Sequence, residues 1–476
     1  MAVTELATSH RRAPADRGGV PSRIWALAAV AVLLAVGLLA TGASGISATR
    51  SGLRVIGHVA GPQVRAGSDL YFALNDMDAQ LANALMLGDT QGLGLTRTKA
   101  LEIYEQRRVQ ADGDVQQAAS LAADDTARKA VTALLNGLGG YEALAARALL
   151  LDGQAPHPVG RPAPAALAVY RQATDLMKSD VLPAARQLAQ SNAADLTRTY
   201  DDTRSAVGGA LTWTAVLGGL LLLALLATQI YVGRRFRRTL NPALAAATLA
   251  AIVLVAMGVN LFATEGTHLR LAKEDAFDSV LALTQARAVS YDANADESRY
   301  LLDPERAARY EQSFFDRTQE IAGVYGTLGT YDDHLARALE SYEQSHKTNV
   351  PITGYLGAEL RNVTFPGERA AADTAVSRYQ VYQRDDRRMR AMVVRGDVAG
   401  AVAFGTSTRP GDSNDDFDQY DQALVAVTDI NQNAFDRAIA DGESELSGWD
   451  LGLPIGVVLI AAFVLVGVRP RLAEFR

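Results

Sequence analysis

The sequence predicts an all-α membrane protein: four transmembrane helices and two tandem, duplicated extracytoplasmic helical domains of four-helix-bundle type. Three observations carry this expectation. Four uncharged apolar runs occupy residues 24–49, 205–233, 239–264 and 451–468, each long enough to cross a hydrocarbon core of ~30 Å as a helix. Basic residues cluster beside the ends of these runs. The stretches between them show apolar residues at helical spacing, such as Leu70, Leu74, Met77, Leu81 and Leu85, with little of the Val-Ile-Thr alternation of strands. The mean hydropathy of +0.02 is low because two large polar segments dilute the spans.

The elements follow in order. A tail of residues 1–23 carries Arg11, Arg12, Arg17 and Arg23. The first span covers 24–46, and a domain of 47–208 follows. The second span (209–232), a basic hairpin (233–241) and the third span (242–264) lead to a second domain of 265–448. The fourth span (449–468) ends in a tail (469–476) with Arg469, Arg471 and Arg476. Positive charge accumulates on cytoplasmic loops, so the two tails and the hairpin belong on that side. They hold 11 of the 46 basic residues and 3 of the 53 acidic ones. The outward segments are therefore strongly acidic, which the formal net charge of −7 conceals. Trp25, Trp213 and Trp449 each stand at the start of a span, where an amphipathic ring prefers the headgroup layer. Small residues Ala43, Gly45 and Ala48 after the first run leave a cleaved signal peptide as the alternative to the first span.

An internal repeat relates the halves. Residues 135–149 read LNGLGGYEALAARAL and 325–339 read YGTLGTYDDHLARAL. The shared markers include Tyr141/Tyr331 and Arg147/Arg337, and Tyr-Glu-Gln precedes both, at Tyr104 and Tyr310. The unequal offsets place an insertion in the second half near 348–410. Glycines 137–140 and 326–329 read as tight turns opening helices at Tyr141 and Tyr331. Gly92 and Gly94 read as a turn as well. Prolines 156–164 mark a loop, Pro183 is expected to kink or break the helix returning to the membrane, and a helix from about Asn414 to Glu445 runs into the fourth span.

No catalytic, cofactor or metal constellation emerges. The chain has no cysteine, which excludes disulfides, thiolate–metal sites and a cysteine nucleophile. Its six histidines are scattered, and Walker, nucleophile-elbow and kinase signatures are missing. Asp412–Asp418 begins like a calcium loop, but Phe417 stands where glycine and Ala423 where glutamate is needed. The stretch reads as an acidic helix start. The acids Asp76 and Asp78, with Asn75, and Asp292, Asp296 and Glu297, with Asn294, read first as solvated helix faces and second as a ligand or partner surface. Spans almost free of charge make a poor transporter. No feature points to nucleic acid.

The cytoplasmic segments are too short to do chemistry, so a signal received outside must pass through helix motion to another protein. The hairpin arginines Arg234, Arg235, Arg237 and Arg238 are the candidate partner-binding residues; their plainer role is topology and contact with anionic lipid, at ~1 kcal/mol each. Thr239 follows them as a helix-start residue or a phosphorylation site. Paired spans around tandem helical ectodomains resemble the sensory modules of bacterial chemoreceptors and histidine kinases, without their output domains. The Ala/Arg-rich composition, four spans, two long outside segments and basic hairpin together resemble the GlnX family of actinobacterial membrane proteins. That resemblance implies a non-enzymatic relay between an extracytoplasmic solute-binding lipoprotein (GlnH) and a cytoplasmic Ser/Thr kinase (PknG) in amino-acid sensing. It transfers no binding residue. The alternative is a non-signalling scaffold subunit of an envelope complex; a homo-oligomer is compatible with either.

Overall fold

The computed structural model describes residues 19–88, 95–121, 125–236 and 241–473. Helices account for almost all of them, and among the described residues the single sheet-like pairing is an isolated bridge between Gly323 and Thr353. The glycine turn expected at Gly92 and Gly94, most of the two tails, and residues 237–240 lie outside the described residues.

Among the described residues, four helices are long and apolar enough to cross a membrane. The first, α1, is helical from Ser22 to Leu87. Helices α2 (Arg97–Leu121) and α3 (Asp125–Gly153) follow. Helix α4 runs from Pro164 to Arg234 and α5 from Pro242 to Leu302. Short helices α6 (Ala307–Ala322), α7 (Tyr331–Gln344), α8 (Gly354–Asn362), α9 (Glu368–Val394) and α10 (Val398–Thr406) lead to α11 (Ser413–Glu445) and α12 (Trp449–Ala473). Helices α1, α4 and α5 each contain one π turn, at Ile56–Ala60, Met177–Val181 and Leu271–Phe277. The fourth long segment is interrupted instead: Leu446–Gly448 form a turn, with Gly448 at φ 82°. The helix read from sequence ends at Glu445 as expected, but a turn separates it from the fourth span, because a left-handed glycine stops an α-helix.

The chain divides into two compact units. One comprises residues 1–53, 202–268 and 441–476 and holds the four apolar segments. Their helices approach closely at small residues, as membrane helices do where dispersion must replace the hydrophobic effect. A Cβ on Gly45 would fall 2.5 Å from that of Ala210, and one on Gly218 would fall 2.5 Å from Val255. Polar ties are few: Gln229 donates to Thr248 Oγ1 at 2.7 Å, and Asn241 to the Gly467 carbonyl at 2.8 Å.

The other unit comprises residues 54–201 and 269–440. Both intervening segments contribute to one core, running from Leu70 to Leu188 and on through Leu283 to Val427. The expectation of two separate bundles is replaced by a single interlocked unit, because each segment packs a helix buried on nearly all sides against the other's. From Leu70 to Leu87 every residue of α1 is buried except Gln80, and from Ala288 to Leu302 every residue of α5 except Asn294. Neither helix has a polar face to give to water, so each must be covered all round. The segment expected as an insertion supplies α8, α9 and α10, whose Leu356, Tyr379, Tyr382 and Phe404 join this core.

Two local expectations need correction. Glycines 137–140 lie inside α3, which passes through them unbroken. Gly137 and Gly140 instead let α3 approach Val181 and Leu176. The matching turn at 326–329 does form, with Gly326 at φ 144° and Thr327 and Thr330 in a capping box on the 3₁₀ turn Leu328–Thr330 that leads into the helix opened by Tyr331. Pro183 does not end α4, which continues through it. The π turn Met177–Val181 lies just before it; a widened turn relieves the clash between a proline ring and the carbonyl behind it.

Candidate functional site

The acids read from sequence as solvated faces are buried, and they meet where α1 crosses α5. Arg299, fully buried on α5, is the hub. Its Nε and Nη2 donate to Asp78 Oδ2 of α1 at 2.9 and 2.6 Å, and its Nη1 donates to Asp296 at 2.5 Å. Asp78 also accepts hydrogen bonds from Thr174 (2.8 Å) and from the repeat marker Tyr141 (3.0 Å). Asp296 takes a second cation, Lys178, at 2.5 Å. Lys178 stands in the π turn of α4 and also reaches Ser313 at 3.0 Å. A π turn inserts one residue and re-aims the side chains around it.

Asp292 completes the row. It accepts from Arg317 Nε at 2.7 Å and lies 3.6 Å from Arg299. Burial alone would raise its carboxyl, but Lys178, Arg317 and Arg299 overcome this and hold it below the usual range. The Tyr71 hydroxyl donates to Asp292 at 3.4 Å and accepts from Arg186 at 2.8 Å. At the flank, Glu297 is pushed well up, by burial first and by Asp386 second, and accepts from Tyr382 at 2.8 Å. Asp76 pairs with Arg107 at 2.6 Å, and the guanidiniums of Arg107 and Arg287 each lie 4.4 Å from the Phe72 ring centre. Buried charge is tolerated only when paired and hydrogen-bonded; Asp78, Asp292 and Asp296 each have a cation and a hydrogen bond, while Asp292 Oδ1 and Asp296 Oδ2 are buried without a hydrogen-bond partner. It ties the first segment (Tyr71, Asp78, Thr174, Lys178) to the second (Asp292, Asp296, Arg299, Arg317).

Two cavities lie in the same unit. A seam cavity of about 250 Å³ is walled by Tyr71 and Arg186 on one side and Gln285, Glu320 and Tyr355 on the other. A larger one, of about 420 Å³, is enclosed by α1, α2, α3 and α4 alone. In the apolar unit, a groove of about 780 Å³ runs between α5 and α12.

The hairpin arginines are only partly described. Arg234 is exposed at the end of α4 and borders a shallow pocket with Tyr231 and Ile230. Arg235 continues the helical backbone, and its side chain lies outside the described residues, as do Arg237, Arg238 and Thr239. The Asp412–Asp418 stretch begins α11 at Ser413, which is the helix start read from sequence.

Comparison with known proteins settles part of the reading. Residues 52–201 match the family model of the actinobacterial sensor domain. The matched segment begins within α1, ends within α4 and contains Tyr71, Asp78, Tyr141, Thr174 and Lys178. It supports a sensor role in an actinobacterial, multi-pass membrane protein. No curated protein and no solved structure matches the chain.

Proposed function

We propose that the protein is a non-enzymatic transmembrane relay, with both termini and the hairpin in the cytoplasm, that reports an extracytoplasmic condition to a cytoplasmic partner. The signal is amino-acid availability, delivered through a solute-binding lipoprotein, and the receiver is a Ser/Thr kinase. The observation supporting a relay is the sensor-domain match of residues 52–201, which begins and ends inside helices that each also supply an apolar, membrane-length segment. Such helices carry displacement along their length, and packed helices switch between discrete arrangements rather than deforming continuously. The buried row around Arg299 gives the sensing unit a bistable joint. Its charges hold one register firmly, and a shift of one turn would need new partners for every member. The output surface is the hairpin, presenting Arg234, Arg235, Arg237 and Arg238 to an acidic patch on the receiver.

The test is capture of the receiver from native membranes in mild detergent, with the full chain as bait. Arg235→Ala/Arg238→Ala, checked first for correct insertion, should lose a kinase that the unaltered chain retains. Equal capture and unchanged signalling by that variant would remove the hairpin as the output. Absence of any cytoplasmic partner from the unaltered chain would favour an envelope scaffold.

A further inference from the structure

The cavity inside the sensor-matching segment has a composition that names its ligand. Its floor is one stripe of α1: Val59, Gln63, Ala66, Gly67 and Leu70. Asp114, Gln117 and Ala118 of α2 and Leu188, Asn192 and Asp195 of α4 form walls. Carbon dominates the lining, and among the described residues two carboxylates stand in it and no lysine, arginine or histidine does. One wall is fixed tightly: a Cβ on Gly67 would lie 3.1 Å from the Ala189 backbone, so α1 and α4 touch directly beside the cavity. Asn192 braces the same contact by donating to the Gln63 carbonyl at 3.2 Å.

The two carboxylates differ. Asp195 already pairs with Arg198 on the outer surface of α4. Asp114 has no ion pair among the described residues, and its Oδ2 is buried without a hydrogen-bond partner. Burial pushes its carboxyl up to about 6, Asp69 nearby adds to the rise, and a side-chain hydrogen bond with Gln110 counters part of it. Arg287 and Arg65 act on Asp69. A half-buried carboxylate without a counter-charge, at the edge of an apolar cavity, is a site short of one cation.

We propose that this cavity binds a small organic amine, with its ammonium on Asp114 and its apolar body against Leu70, Leu188 and Ala118. The volume lies in the range of small-molecule sites. The walls come from α1 and α4, so occupancy ties together the two helices that lead from this segment to the first and second apolar stretches. Asp114 supplies the charge and Gln117 and Asn192 supply directional hydrogen bonds. This inference concerns binding alone and stands apart from the identity of any cytoplasmic receiver.

Three probes of one shape and different charge test it on the full chain in detergent at pH 7.5: tyramine, neutral tyrosol and 3-(4-hydroxyphenyl)propionate. Binding is read by calorimetry and by thermal unfolding. Tyramine should bind at least ten-fold more tightly than tyrosol, and the propionate should not bind. Asp114→Asn should erase the preference for the amine; removing an uncompensated charge leaves the fold at least as stable. Ala118→Leu, which fills the cavity and keeps the carboxylate, should abolish tyramine binding. Equal affinity for tyramine and tyrosol overturns the proposal. So does an amine preference that survives in either variant, because it then arises from the acidic surface.

Discussion

Replacing Arg299 by methionine isolates the worth of the buried row. The side chain is completely buried and touches Asp78 at 2.6 Å, Asp296 at 2.5 Å and Asp292 at 3.6 Å. Two of those acids keep a cation in the variant: Lys178 for Asp296 and Arg317 for Asp292. Asp78 keeps only the hydroxyls of Thr174 and Tyr141. Breaking a buried pair by removing one partner costs about 3–5 kcal/mol. At about 2 °C per kcal/mol for a unit of this size, the melting temperature should fall by about 6–10 °C. Asp78→Asn combined with Arg299→Met should recover at least about 2 kcal/mol, because the stranded charge is gone while the hydroxyls keep an acceptor. Calorimetry or denaturant unfolding of the detergent-solubilised chain reads both. A single variant within about 1 kcal/mol of the unaltered protein, or a double variant no better than the single, would show that the row is solvated and not the joint described here.

Other outcomes follow from the same geometry. Glu359, buried near Glu368, is pushed up to about 8 and Asp385, near Asp416, to about 7, in both cases by burial first and the neighbouring acid after it. Raised carboxyls stabilise the fold in acid and lose that contribution as pH climbs through their folded values. Melting temperature should drop between pH 5.5 and 8.5, and Glu359→Gln should flatten the slope; a flat profile in the unaltered chain contradicts the burial of these pairs. Gly67→Val should cost about 2 kcal/mol by forcing α1 off Ala189, measurable by chemical unfolding. Single cysteines introduced into this cysteine-free chain report topology: positions Ser120 and Ser377 should label from outside the cell and Thr239 should not. Protection at Ser377 from an external reagent would reverse the assignment of the second large segment.

Much of this architecture was legible in the residues. Four uncharged runs located the long apolar helices, and Ser413 begins α11 within a residue of the expected start. The seam was misread because Asp292, Asp296 and Arg299 at spacings of four and three look like an ordinary surface ion-pair ladder. A signal against that reading was present. Between Leu70 and Leu87 the only polar side chains are Asn75, Asp76, Asp78, Gln80 and Asn83, too few to cover a solvent face. Acids in an apolar setting of that kind must find cations, and the one that pairs with Asp78 lies 221 residues away in the chain, beyond the reach of local pattern. The glycines 137–140 and 326–329 show the same limit from another side. Near-identical residues form a turn in one half and a helix-packing notch in the other, and what decides between them is whether Val181 and Leu176 arrive to fill the notch.

The π turns have a consequence for how such a chain tolerates change. Each carries one residue more than the α-helical path requires, and one residue is about 100° of helical phase. In α1 and α5 the extra residue stands just past Leu53 and His268, where one compact unit gives way to the other. The stripe that packs inward before the turn is thus freed from dictating the stripe that packs inward after it. Deleting a single residue there, Val59 for instance, would restore regular pitch and set every downstream side chain on a new bearing.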